Sequence, residues 1–444
     1  MNLLIKQVHI IDPKNEVDGV FDLSIENSVV REINKEISSQ VGEVIDAKGL
    51  YLFPGLIDLH VHFREPGYEQ KETIQSGAKA ALKGGFVAAV TMPNTNPPCD
   101  HQSVIDNMIR KANEVPFYIY PAATLTKNRA GGELSEMADL RKAGARAVTD
   151  DGDWISDSLL MRRAMEYASM LNLLVVSHAE DKRLTAMGAM NEGIMSTQLG
   201  LKGIPNASED VAVSRDILLA ELTGVRLHLT HISTRGAVEQ IRLAKKRKIS
   251  VTADVTPHHL TLTDEALAGY DTNFKMMPPL RTEADRKAVV DGLIDGTIDA
   301  IATDHAPHTE EEKMAEFQDA PVGVTGLETA LGVVLTEFYH RKLMDLNSVV
   351  RRMSANPAEI LKLPPGFGEI RVGTEANLTL VDVNQEWTVK KENFVSKSQN
   401  SCFIGKKLKG RAVATICRGR LWRFATLVPE AVEQAPLNQC RKQS

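Results

Sequence analysis

The chain has 444 residues, 43% hydrophobic and 25% charged, the make-up of an ordinary globular protein with room for a large domain and a smaller one. A formal net charge of −6, with no basic run and no interleaving of aromatic and basic residues, argues against nucleic acid as the main partner. No apolar run approaches the roughly 20 residues needed to span a bilayer, the start MNLLIKQVHIIDPKNEVDG lacks the marks of a secretory signal, and Cys99, Cys402, Cys417 and Cys440 are scattered as free thiols of a reducing cytoplasm would be.

Residues 1–53 contain NLLIKQVHIID, VFDLSIENSVVREI and EVIDAKGLYLFPG, which alternate and turn as β-hairpins do. Between 54 and 367 eight short apolar runs recur, rich in β-branched or small residues: LIDLHVH, FVAAVTMPN, FYIYPAATL, ARAVTDDG, LLVVSHAE, VRLHLTHIS, ISVTADVTPHH and IDAIATDHAPH. Stretches of helical spacing such as ETIQSGAKAALKGG, DSLLMRRAMEYASML and GAVEQIRLAKKRK separate most of them. Eight strand–helix units predict an α/β fold, a closed (β/α)8 TIM-type barrel with its chemistry at the C-terminal strand ends. Residues 368–425 return to hairpin patterning, so both termini are expected to join in one small β-sandwich. Residues 426–444 form a polar tail expected to be poorly ordered.

The predicted strand ends carry a repeated chemistry. The first has His60 and His62, which share one strand face because side chains at i and i+2 do. The second has Asn94, the fourth Asp150 and Asp151, the fifth His178 and the sixth His231. The seventh has Asp254, His258 and His259, and the eighth Asp304, His305 and His308. Taken singly, Asp150 and Asp151 read equally well as shaping the turn at Gly152, and His178 and His231 read more readily as hydrogen-bonded core residues. His228, three residues before His231, is expected to face the helix layer.

Together, His60, His62, Asp151, His178, His231 and Asp304 offer six nitrogen and oxygen donors, which suit zinc, with manganese, iron or cobalt as substitutes. Six exceed the three protein ligands usual for a single catalytic zinc and suit two ions with one carboxylate between them, an apparatus for hydrolysing an amide.

The sequence resembles the dihydroorotases of the amidohydrolase superfamily, of the large-chain bacterial type. The likeness covers almost the whole chain and is carried by DLHVHFREPG, MPNTNP, DDG, SHAED, HLTHIST, TPHHL, ATDHAPH and GVTGLET. It implies two Zn²⁺ per subunit, one held by His60 and His62, the other by His178 and His231, with Asp151 bridging. Asp304 would bind the first ion and act as the catalytic proton shuttle. Arg64 and Asn94 resemble residues that grip the substrate carboxylate, beside His62 and Phe63. His308, Val322 and Gly323 resemble contacts that close over the ring, carried by the loop HAPHTEEEKMAEFQDAPVG. Met277, in KMMPPLR, stands where the family often has Asn, and a thioether cannot replace an amide's hydrogen bonds.

The activity implied is the reversible cyclisation of N-carbamoyl-L-aspartate to (S)-dihydroorotate, the third step of pyrimidine biosynthesis. A homodimer and an association with aspartate transcarbamoylase remain open. One rival is a hydantoinase or allantoinase, which needs no arginine at position 64 and typically bridges its metals with a carboxylated lysine, where this chain offers TDDG. The other is an inactive scaffold, which would have lost metal ligands; this chain keeps all six.

Overall fold

In the computed structural model, which describes residues 1–38 and 42–424, the first and last described strands lie in the same sheet. Strands β1 (Leu3–Asp12), β2 (Val17–Glu26), β3 (Val29–Asn34), β4 (Glu43–Asp46) and β5 (Tyr51–Pro54) precede the barrel. The barrel strands are β6 (Leu56–Val61), β7 (Phe86–Thr91), β8 (Tyr118–Ala123), β9 (Ala147–Val148) and β10 (Leu174–Ser177), then, after a small parallel pair β11 (Met190–Asn191) and β12 (Gly203–Ile204), β13 (Arg226–Leu229), β14 (Val251–Val255) and β15 (Ala300–Ile301). Each apolar run of the sequence reading holds one barrel strand. Three terminal strands follow, β16 (Leu378–Thr388), β17 (Lys407–Cys417) and β18 (Arg420–Arg423).

The barrel strands run parallel in the order β6-β7-β8-β9-β10-β13-β14-β15. The ring closes through a parallel bridge between Val61 and His305, where the His62 amide donates to the His305 carbonyl at 2.8 Å. Asp58 adds a second tie: its Oδ1 accepts from the amides of His60 and Thr303, both at 3.1 Å. Helices cover the outside. In Ile74–Lys83, Thr73 and Ser76 form a capping box, a buried apolar face lies on the barrel, and Gly84 and Gly85 end the turn. Gly85 is required there: its φ is +93°, and a Cβ would meet the Thr379 side chain of β16 at 2.7 Å.

The terminal unit is one continuous sheet, β18-β17-β16-β5-β1-β2-β3, with β4 also on β1. β1 changes partner along its length: residues 3–6 pair with β4, and His9 and Ile10 with β5. The expected sandwich is thus built by one sheet enclosing a core of its own, with Leu3, Ile10, Leu23 and Leu52 packed with Leu378, Leu380 and Ile416. The polar tail and Cys440 lie outside the described residues.

Candidate active site

Five strand ends deliver imidazoles or carboxylates to one point. His60 lies in β6 and His62 just beyond it; Asp151 follows β9, His178 follows β10, His231 follows β13 and Asp304 follows β15. All six are buried. His231 (φ +42°) and Asp304 (φ +47°) adopt left-handed backbone, as does Arg64 (φ +61°). That conformation costs a non-glycine residue on the order of 1 kcal/mol, a strain that the surrounding structure sustains at each position.

The nitrogens converge in two pairs. His60 Nε2 and His62 Nε2 are 3.3 Å apart, and His178 Nδ1 and His231 Nε2 are 2.9 Å apart. Two nitrogens held about 2.0–2.1 Å from one tetrahedral ion sit roughly 3.3 Å from each other. The Asp151 carboxylate stands between the pairs. Its Oδ1 is 3.4 Å from His60 Nε2, 3.6 Å from His178 Nδ1 and 4.0 Å from His231 Nε2, and its Oδ2 is 3.7 Å from His62 Nε2. Asp304 Oδ1 flanks the first pair, 3.1 Å from His62 and 3.5 Å from His60. Asp151 Oδ1 is buried without a hydrogen-bond partner, which is the condition of an oxygen that coordinates a cation. The residues present therefore fit two metal ions sharing Asp151; the sets His60–His62–Asp151 and Asp151–His178–His231 each bring their donor atoms within 4.8 Å of one another.

Neighbouring groups fix which nitrogen faces the centre. His60 Nδ1 donates to Thr230 Oγ1 at 2.7 Å, and Thr230 in turn donates to Asp254 at 3.1 Å. His62 Nδ1 donates to Asn94 Oδ1 at 2.9 Å. His178 is reversed: Nε2 donates to Glu180 Oε2 at 3.1 Å, leaving Nδ1 toward the centre. Such partners set the tautomer of a metal-binding imidazole. Glu180 and Thr230 escaped the sequence reading, although Glu180 shares the strand-end face of His178 two residues earlier, and Thr230 lies inside HLTHIST.

Electrostatics favour positive charge here. Burial lowers the affinity of His60 and His178 for a proton, but Asp151 and the second carboxylate beside each reverse this and hold them at about 9 and about 10. Burial likewise favours neutral Asp151 and Asp304, yet the imidazoles outweigh it and hold both carboxyls well below the usual range. The same cluster accommodates dications once those protons leave.

His228 is placed differently from the expectation. Its ring turns inward beneath the site, Nε2 donating to Asp254 Oδ2 at 2.8 Å, because the Asp254 carboxylate also takes the Thr230 hydroxyl and the His231 amide (2.7 Å) and needs donors on every side. Asp150 turns away from the centre and accepts from the amides of Leu125 and Thr126. His259 donates to the Pro278 carbonyl, and His305 Nδ1 accepts from the Gly326 amide, so neither joins the donor set.

A cavity of about 350 Å³ opens over the donors, lined also by Arg64, Asn94, Met277, His308, Val322 and Gly323. Phe63 is the one expected contact whose side chain is not brought there: it packs on Phe117 and His305. Arg64 is half-buried, its Nε donating to the Pro307 carbonyl at 3.1 Å and its Nη2 lying 3.2 Å from His308 Nε2. Burial, then Arg64, Lys71 and Lys313, push His308 down to about 2, so it carries a single N–H near neutrality. Nε2 directs that proton to the Val322 carbonyl at 2.9 Å. Arg64 Nη2 then faces an N–H instead of a lone pair, which leaves it available to an anion.

A barrel with two convergent nitrogen pairs around a shared carboxylate defines a metal-dependent hydrolase of the amidohydrolase type. Among solved structures the fold is matched by the L-hydantoinase of Arthrobacter aurescens (TM-score 0.85, 23% identity, 95% of each chain) and the D-hydantoinase of Thermus sp. (TM-score 0.80, 25% identity, 94% of each chain). Residues 49–237 match the family described as dihydro-orotase-like. A dihydroorotase of Carboxydothermus hydrogenoformans is 48% identical over 94% of this chain and 97% of its own length, and one of Syntrophus aciditrophicus 47% identical over 95% and 99%. The chain belongs to the dihydroorotase family.

Proposed function

We propose a division of labour among these residues for an enzyme that interconverts N-carbamoyl-L-aspartate and (S)-dihydroorotate in pyrimidine biosynthesis. His60, His62 and Asp304 would hold one zinc ion and His178 and His231 the other, with Asp151 shared. When bound, such ions lower the pKa of a shared water and polarise the ring carbonyl. Asp304 takes the proton of the attacking water and passes it to the departing amide nitrogen; ring closure reverses the order. Arg64 and Asn94 take the substrate carboxylate, the guanidinium as a two-pronged donor. His308 and the Val322–Gly323 backbone cover the ring, and Phe63 contributes through its backbone alone. The buried thiols of Cys99, Cys402 and Cys417 suit a cytoplasmic enzyme.

The observation that carries this reading is the placing of Asp151. No lysine lines the cavity among the described residues, and the position between the two nitrogen pairs belongs to an aspartate. An aspartate is anionic without reacting with carbon dioxide, so zinc reconstitution of the apo-protein is expected to be independent of bicarbonate. Asp151→Ala is expected to lose one zinc or nearly all turnover. Strong bicarbonate dependence of the wild type would overturn the assignment. Turnover of dihydroorotate, hydantoin and allantoin side by side separates this activity from its rivals, with dihydroorotate expected to lead. Light scattering, alone and with an aspartate transcarbamoylase, reads the association state.

A further inference from the structure

Two buried lysines beside the cavity take no part in the chemistry above. Lys313 is 7% exposed and Lys275 6% exposed. Neither makes an ion pair among the described residues. Their ammonium groups spend every hydrogen bond on main-chain carbonyls. Lys313 Nζ donates to Thr272 (3.0 Å), Lys275 (3.4 Å) and Pro321 (2.8 Å). Lys275 Nζ donates to Gln318 (2.9 Å) and Ala320 (2.7 Å). Burying an amine without a counter-ion is costly, and bonds to main-chain carbonyls offset only part of that cost. Two such amines serving neighbouring carbonyls point to a purpose beyond filling space.

The acceptors lie on two segments, 272–275 and 318–321. Each runs straight into a wall of the cavity: the first into Met277, the second into Pro321, Val322 and Gly323. The Gly323 amide donates to the Lys275 carbonyl at 2.9 Å, and the Val322 carbonyl takes the His308 proton. The Thr272 hydroxyl bonds back to the Lys313 carbonyl. Lys313 also ends the short helix Glu310–Lys313 that begins just after His308. Three pieces of the substrate cover therefore meet at these two amines.

We propose that Lys313 and Lys275 are positioning residues for substrate binding, setting the spacing between the Met277 wall and the Pro321–Gly323 wall. They touch neither the metal donors nor the reacting bond. Their effect falls on how well the ring is held, and the step at Asp304 proceeds as before once it is held. The inference rests on the reading that substrate lies beneath Pro321–Gly323.

The test uses the zinc-loaded full-length enzyme and the variants Lys313→Met and Lys275→Met, which keep most of the side-chain length and remove the donors. The KM for dihydroorotate is expected to rise about tenfold or more in each, with kcat within about threefold of wild type, since the lost bonds serve binding. Zinc stoichiometry is expected to be unchanged, and amide hydrogen exchange of residues 318–323 faster. If Lys313→Met fails to fold, Lys275→Met decides the question. An unchanged KM, or a kcat that collapses together with zinc content, overturns positioning. Arg64→Met measured in parallel separates the two levels. A shifted KM there with unmoved lysine variants sinks this inference alone, whereas an unmoved KM in Arg64→Met sinks the placement of the substrate itself.

Discussion

The two sides of the cavity are built by different means. On the barrel side, donors sit at the ends of parallel strands, and each imidazole but His231 has its second nitrogen committed to a partner: Thr230, Asn94 or Glu180. On the loop side, His308, Val322 and Gly323 stand on irregular backbone held to its surroundings by lysine-to-carbonyl bonds. Strands fix position through a ladder shared with neighbours on both sides, whereas a loop must be pinned residue by residue. The barrel side therefore suits chemistry that tolerates little displacement, and the loop side suits recognition of a ring that must enter and leave.

The largest effect is expected on the barrel side. On the proposed assignment, Asp304→Asn removes the group that accepts the water's proton and weakens a metal ligand. Positioned proton transfer contributes about 10²–10⁴-fold, so kcat is expected to fall by roughly that factor while folding is preserved. Stopped assays of kcat beside a thermal melt check this. Near-normal turnover would assign the proton to another group, with His308 the first to examine.

Arg64→Met comes next and probes the seam between the sides, since Arg64 leaves the β6 end yet contacts the Pro307 carbonyl and His308. Charge-assisted hydrogen bonds are worth about 1.5–3 kcal/mol each, so losing a forked pair is expected to cost on the order of tenfold to several hundredfold in kcat/KM. Zinc content is expected to stay at the wild-type value. Unchanged kinetics would remove Arg64 from the carboxylate site.

A third variant asks how far the rigidity of the barrel side depends on what lies beneath it. Asp254 supports both metal sets, reaching His60 through Thr230 and accepting the His231 amide directly. Thr230→Val keeps the shape and deletes the acceptor for His60 Nδ1. Zinc affinity, read by competition with a chelator, is expected to weaken about 10–100-fold, the usual consequence of losing such a partner. An affinity equal to wild type would show that the strand alone orients His60.

This contrast also explains what the sequence discloses. The eight apolar runs and their polar ends expose the barrel, and the period of two places His60 and His62 on one face. The same logic reaches Asp151, His178, His231 and Asp304, because each follows a strand by one to three residues. It fails for His228, whose inward turn depends on a carboxylate from the neighbouring strand, a contact no local pattern records. Phe63 is a different case: the resemblance sets it among the substrate contacts, while the period of two turns its ring away from His62 and Arg64, and the ring packs on Phe117. The lysine pins were invisible, since a lysine in TEEEK reads as solvated until the main chain it serves has been folded around it.

The smallest expected effect is also the one that most sharpens the comparison. Met277 lines the loop side at the end of the segment that Lys313 and Lys275 hold. A thioether offers only a weak acceptor, so what Met277 presents to the cavity is shape and backbone. Met277→Asn introduces two donors and an acceptor at that wall. If the loop side recognises the ring chiefly by side-chain bonds, the variant is expected to lower KM by a few-fold, since a net hydrogen bond is worth about 0.5–1.5 kcal/mol. If the pinned backbone already satisfies the ring, KM is expected to hold and the melting temperature to fall slightly, because a polar group replaces an apolar one in a close-packed wall. Either result leaves kcat near wild type, as the barrel side is untouched. A large loss of kcat would break the comparison, for it would mean that the loop wall takes part in the chemistry that the strand ends were built to perform.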